Sequence, residues 1–77
     1  MKKVTIYSTP TCHFCHMAKE YFAEHNIPYT EYNVASDLEK RKEMIDKTRQ
    51  MGVPVIDIDG QIIIGYEEKT LAKALGV

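Results

Sequence analysis

The 77-residue chain predicts one α/β domain, a mixed four-stranded sheet with helices on both faces and elements in the order β-α-β-α-β-β-α. Three observations carry that expectation. Apolar residues switch several times between a two-residue repeat and a helical repeat. The segment joining the first two strands is helical, as a right-handed crossover between parallel strands requires. Asp59-Gly60 separates two β-like runs, the signal of a tight hairpin. No repeat, low-complexity stretch or linker divides the chain, so residues 1–77 are expected to fold as a single domain.

Residues 3–7 alternate, with Val4 and Ile6 on one face, and predict a strand that Pro10 ends. Thr11 is the expected cap of the first helix. Phe14, Met17, Ala18, Tyr21 and Phe22 then recur at helical spacing as far as His25. A turn over 26–28 leads to a second strand, 29–34, with Tyr32 and Val34 facing one way. Ser36 and Glu39 have the spacing of a capping box. The helix they open carries Leu38, Met44 and Ile45 as its apolar stripe and is expected to end near Met51 and Gly52. Its other face (Glu39, Lys40, Arg41, Lys42, Glu43, Asp46, Lys47) reads as a solvated surface with helix-supporting pairs. Residues 53–58 and 61–64 predict the hairpin strands, and Gly65 breaks the second. Residues 67–75 predict a last helix with Leu71, Ala74 and Leu75 inward and Gly76 as its stop.

Composition narrows the function. The chain is 44% hydrophobic and 27% charged, as globular domains are. Ten Lys and Arg against eleven Asp and Glu give a net charge of -1, which argues against a dedicated binder of nucleic acid or membrane surfaces. Two cysteines are too few for a disulfide scaffold. Cys12 and Cys15 are so close that a bridge between them removes little unfolded-state entropy, so the pair reads as reactive rather than structural. The first apolar run stops at Tyr7, too short for a signal peptide or membrane span, and the expected compartment is the reducing cytosol.

Cys12-His13-Phe14-Cys15 follows a strand and opens a helix. Residues three apart on a helix lie roughly 5–6 Å apart at Cβ, close enough to cycle between dithiol and disulfide. Free amides and the helix dipole at the first turn favour an anion, and such placement lowers a thiol pKa from about 8.5 to ~3.5–7.5. Cys12 is therefore the candidate nucleophile, and Cys15, one turn deeper, the resolving thiol. Three other readings compete with this one. Two inert buried thiols fit the strand-pair-helix context less well. A metal site from Cys12, Cys15, His13, His16 and His25 lacks the second ligand pair that zinc needs. Haem attachment through C-x-x-C-H needs an export route. Protonated His13 would stabilise a Cys12 thiolate, and a solvated ring there is an equal alternative. His16 reads as an exposed helix residue, and Lys19 as a surface lysine or an aid to proton traffic.

The chain resembles a small dithiol glutaredoxin over nearly its whole length. The matching elements are Ile6-Tyr7-Ser8, Cys12-His13-Phe14-Cys15-His16, Ala18-Lys19, Val53-Pro54 and Gly65-Tyr66-Glu67-Glu68, in that order. The resemblance implies the thioredoxin fold and thiol–disulfide oxidoreductase activity on protein or glutathione mixed disulfides. Glutathione would be the co-substrate, with no tightly bound cofactor and no metal. It implies that Val53-Pro54 is the cis-proline segment, whose backbone pairs with an extended peptide. It also implies that Gly65, Tyr66 and Glu67 hold the γ-glutamyl end of glutathione, although Glu67 and Glu68 equally suit a helix dipole. Phe14 and His13 would border the groove. Three departures and one agreement matter. His13-Phe14 stands where many members have Pro-Tyr, which leaves the potential open. Gly52 stands where many have Thr. Thr9 occupies the place of a lysine that binds a glutathione carboxylate, leaving Gln50 or Arg49 to contact it. Cys15 is not the Ser of the monothiol, iron–sulfur-carrying members, which disfavours a cluster-binding module. Expected partners are glutathione and disulfide-bearing proteins. A reductase flavoprotein is the alternative donor, as in relatives that feed ribonucleotide reductase, and a monomer is expected.

Overall fold

The structure is a computed structural model and describes residues 2–76. Its elements are β1 (Val4–Ser8), α1 (His13–Glu24), β2 (Thr30–Asn33), α2 (Leu38–Thr48), β3 (Val55–Ile58), β4 (Gln61–Ile64) and α3 (Glu68–Leu75). They form one sheet in the order β2-β1-β3-β4. β1 and β2 run parallel, as a βαβ unit requires, and β3 lies antiparallel to both β1 and β4. The hairpin turns at Asp59 and Gly60, both with positive φ (51° and 94°), the backbone that matches the twist of paired strands.

Strand alternation divides the core in two. Val4, Ile6, Ile56, Ile58 and Ile63 point to one face and meet Ala18, Tyr21 and Phe22 of α1 and Leu71 and Ala74 of α3. Tyr7 and Val55 point to the other, with Val34, and meet Met44 of α2. Each fully buried large apolar side chain contributes about 1.5–3 kcal/mol, so the larger cluster dominates the stability.

The structure corrects several local expectations. Cys12, not Thr11, caps α1, and its sulfur accepts the Cys15 N–H. Phe14 fits the helical spacing but is 55% exposed, while Cys15 beside it in the same turn is fully buried. The capping box does not form. Asp37 caps α2 by accepting the Lys40 N–H (3.1 Å), while the Ser36 hydroxyl donates to the Asn33 carbonyl (3.4 Å). A carboxylate one residue nearer the helix is the stronger acceptor. Leu38 is 70% exposed, so Met44 is the buried residue of α2. α2 also stops early, at Thr48, where Arg49 turns left-handed (φ 60°). β3 begins at Val55 rather than at residue 53, since Pro54 has no N–H to give a ladder.

The charged face of α2 is more than a solvated surface. Lys47 donates to Asp57 of β3 (3.1 Å) and to the Tyr7 hydroxyl (3.0 Å), and that hydroxyl donates to Glu43 (3.1 Å). Lys40 binds Glu43 (2.9 Å) and lies over the Tyr32 ring, 4.3 Å from its centroid. The group ties α2 to the sheet. Burial pushes the Tyr7 phenol up from its ordinary value, and hydrogen bonding to Tyr7 holds Lys47 protonated well above the usual lysine range.

Candidate active site

The register brings three chain segments to one end of the sheet. Tyr7 pairs with Val55, and Val55 with Ile64. The end of β1, which leads to Cys12, thus lies beside the start of β3, which follows Val53-Pro54. The end of β4, which leads to Gly65, Tyr66 and Glu67, lies next to it. Residues far apart in sequence meet there because antiparallel pairing aligns these strand ends.

At the end of β1, residues 9–11 turn the chain, with the Cys12 N–H donating to the Thr9 carbonyl at 3.3 Å. Cys12 then adopts an extended backbone at the cap of α1, and its Sγ accepts the Cys15 N–H at 3.1 Å. Cys12 and Cys15 are joined in a disulfide, with Cα atoms 5.2 Å apart. Cys15 is fully buried, whereas Cys12 is half-buried. Of the two, only Cys12 is open to an incoming reactant, and the N–H aimed at its sulfur is the kind of partner that stabilises a thiolate. His13 and Phe14 are exposed, their rings edge to face at 5.6 Å. The His16 ring lies 3.2 Å from the Pro10 carbonyl.

Behind the pair, Ser8, Lys19 and Glu31 connect β1, α1 and β2. The Ser8 hydroxyl, buried, and the Lys19 ammonium both donate to one Glu31 oxygen, at 2.7 and 2.8 Å. The Lys19 bond, then the Ser8 bond, holds the Glu31 carboxyl below the usual carboxylate range, and the Lys40 bond does the same for Glu43. Carboxylates with lowered pKa stabilise the fold above their unfolded value of about 4.3 and lose that contribution as pH falls through the lowered one. The urea midpoint should therefore hold from pH 7 to about 5 and fall below about 4.5. The double variant Glu31→Gln with Glu43→Gln should show a shallower acid limb in the same titration. An unchanged acid limb would contradict this assignment.

Val53-Pro54 is joined by a cis peptide bond. Pro54 is buried, and its carbonyl accepts the Gly65 N–H at 2.8 Å, which links this segment to the end of β4. Tyr66 packs on Tyr21 with centroids 6.4 Å apart. Glu67 is exposed and caps α3 without a side-chain bond. Gln50 folds back on its own loop, its carboxamide bonded to the backbone of Gly52. That loop network and the Ser8–Lys19–Glu31 group were not foreseen from sequence. Gly52, a departure from the family pattern, was the available signal for the first. Among the described residues, no three His, Cys, Asp or Glu side chains converge as metal ligands would. No described helix is long and apolar enough to cross a membrane.

A cysteine pair capping the helix of a βαβ unit beside a cis-proline is the architecture of thioredoxin-like proteins. A mutant of a thioredoxin-like protein, solved by crystallography, superposes with a TM-score of 0.92 over 100% of this chain and 99% of its own, at 28% identity. Within that class, the Glutaredoxin family profile matches residues 4–63, and the chain belongs to that family. An uncharacterized glutaredoxin-like 8.6 kDa protein in a rubredoxin operon of Clostridium pasteurianum is 46% identical over 94% of this chain and 96% of its own. Glutaredoxin 3 of Escherichia coli K12 is 34% identical over 99% and 92%. Glutaredoxins are thiol–disulfide oxidoreductases, and this chain is one.

Proposed function

We propose that the protein reduces protein disulfides with the Cys12–Cys15 dithiol. The Cys12 thiolate attacks one substrate sulfur, forms a mixed disulfide and expels the other sulfur as a thiolate, which takes up a proton. Cys15 then gives up its proton and attacks Cys12, closing the internal disulfide and releasing the second substrate thiolate. Two electrons pass from the pair to the substrate. The observation that carries this reading is the contrast between Cys12, reachable and bonded to an amide, and Cys15, buried one turn away. Val53 and Pro54 position the substrate, and His13 and Phe14 border it. Action in the reducing cytosol fits a chain with only two, clustered cysteines, and a monomer is the oligomeric state proposed.

The donor is glutathione or a reductase flavoprotein. The amides at the start of α3 suit the γ-glutamyl carboxylate of glutathione. The glutathione carboxylate that a lysine binds in other members would meet Thr9 instead, and the Gln50 amide is already engaged with Gly52. Those two features favour the flavoprotein. An NADPH-coupled assay tests both, with glutathione and glutathione reductase in one arm and thioredoxin reductase alone in the other. The second arm should be faster, and Thr9→Lys should raise the glutathione rate by roughly three- to tenfold by supplying a charge-assisted partner. Equal or faster turnover with glutathione in the unaltered protein would reverse the choice of donor. No disulfide reduction in either arm would end the proposal.

A further inference from the structure

We propose that Gln50 and Gly52 form a brace that presents the Val53 backbone to the substrate, an inference that rests on the disulfide-reductase reading above. The Gln50 carboxamide lies along the Gly52 peptide and bonds it on both sides. Its Oε1 accepts the Gly52 N–H at 2.5 Å, and its Nε2 donates to the Gly52 carbonyl at 3.2 Å. The side chain thereby does for Gly52 what a neighbouring strand does for a paired residue. The brace is anchored in α2. Gln50 Nε2 and the Gln50 N–H both lie 3.4 Å from the Thr48 hydroxyl, which donates to the carbonyl of buried Met44 at 2.8 Å.

The loop needs such a support because Pro54 offers no N–H to the sheet. Its carbonyl is fixed on the far side by Gly65. Gly52 is fixed on the near side by Gln50. Between the two, no backbone or side-chain bond among the described residues engages the N–H or carbonyl of Val53. A peptide group held at both ends and unpaired in the middle is ready to receive an extended main chain at low ordering cost.

The brace also accounts for glycine at position 52. A Cβ there would stand 2.6 Å from Gln50 Oε1, closer than real contacts allow. The obstructing atom is the end of a flexible side chain, so a larger residue at 52 would evict Gln50 and leave the fold standing. Gln50→Ala and Gly52→Thr should therefore act on one element and share one phenotype.

The test uses single turnovers of the pre-reduced protein, which need no donor. A disulfide-bonded peptide and a small disulfide without peptide groups serve as substrates. Gln50→Ala should raise the half-saturating peptide concentration about tenfold, the scale expected when a preorganised loop loses its support, with the limiting rate retained. Gly52→Thr should do the same, and the double variant should be no worse than either single one. Reduction of the small disulfide should be unaffected in all three. An unchanged half-saturation in Gln50→Ala would overturn the brace, as would effects that multiply in the double variant or an equal loss on the small disulfide. Failure of the unaltered protein on both substrates would instead strike the disulfide-reductase reading itself.

Discussion

Cys12→Ser is expected to reduce turnover to the uncatalysed background on every disulfide. A serine hydroxyl at the same cap would still accept the Cys15 N–H, so α1 should fold unchanged. What it lacks is the acidity and nucleophilicity of sulfur, and no general base among the described residues is bonded to that position to compensate. Cys15→Ser should separate the two half-reactions. Cys12 can still capture a glutathione mixed disulfide and be released by a second glutathione. A protein disulfide, however, would remain attached as a mixed disulfide, because the displacing thiol has gone. Mass spectrometry of the Cys15→Ser protein after incubation with a protein substrate should find that adduct on residue 12. Full activity in Cys12→Ser would end the assignment of roles.

The largest effect on stability is expected from Phe22→Ala. Phe22 is fully buried between α1 and the sheet and touches the Tyr29 ring, with centroids 5.2 Å apart. Truncating a buried Phe costs about 3–5 kcal/mol. A 77-residue domain has on the order of 4–12 kcal/mol in total, so this one change removes a large share. The loss corresponds to a Tm lower by roughly 12–40 °C, measured by circular dichroism. Phe14→Ala is the control. Phe14 shares the helical spacing of Phe22, yet it is 55% exposed, and its truncation should change stability by only about 0.5 kcal/mol. Similar losses in the two variants would mean that the Phe14 ring is packed after all.

These two phenylalanines mark a limit of periodicity. Spacing tells which residues share a helix face, and both belong to the inward one. Whether a given position on that face is covered depends on what packs against it in three dimensions, which spacing does not encode. Leu38 in α2 illustrates the same point, apolar and in phase with the stripe but 70% exposed. Capping was similarly half legible. Thr11 and Ser36 are good caps in isolation, but each lies one residue before another acceptor, Cys12 and Asp37, that the folded backbone places nearer the free amides.

The element order, the parallel first pair, the hairpin and the cysteine pair at a helix start all follow from local chemistry. Periodicity, turn residues and the spacing of two thiols act over a few positions and can be read from them. The sequence alone therefore determined the fold class and the Cys-x-x-Cys pair on which the proposed chemistry rests. Only the tertiary structure decided how completely Cys15 is buried and which N–H meets the Cys12 sulfur. It also decided what Gln50 bonds, and how Val53 and Gly65 come to stand at the same end of the sheet as Cys12. Each of those depends on burial and on contacts between residues distant in the chain, and those exist only once strands have paired and helices have covered them.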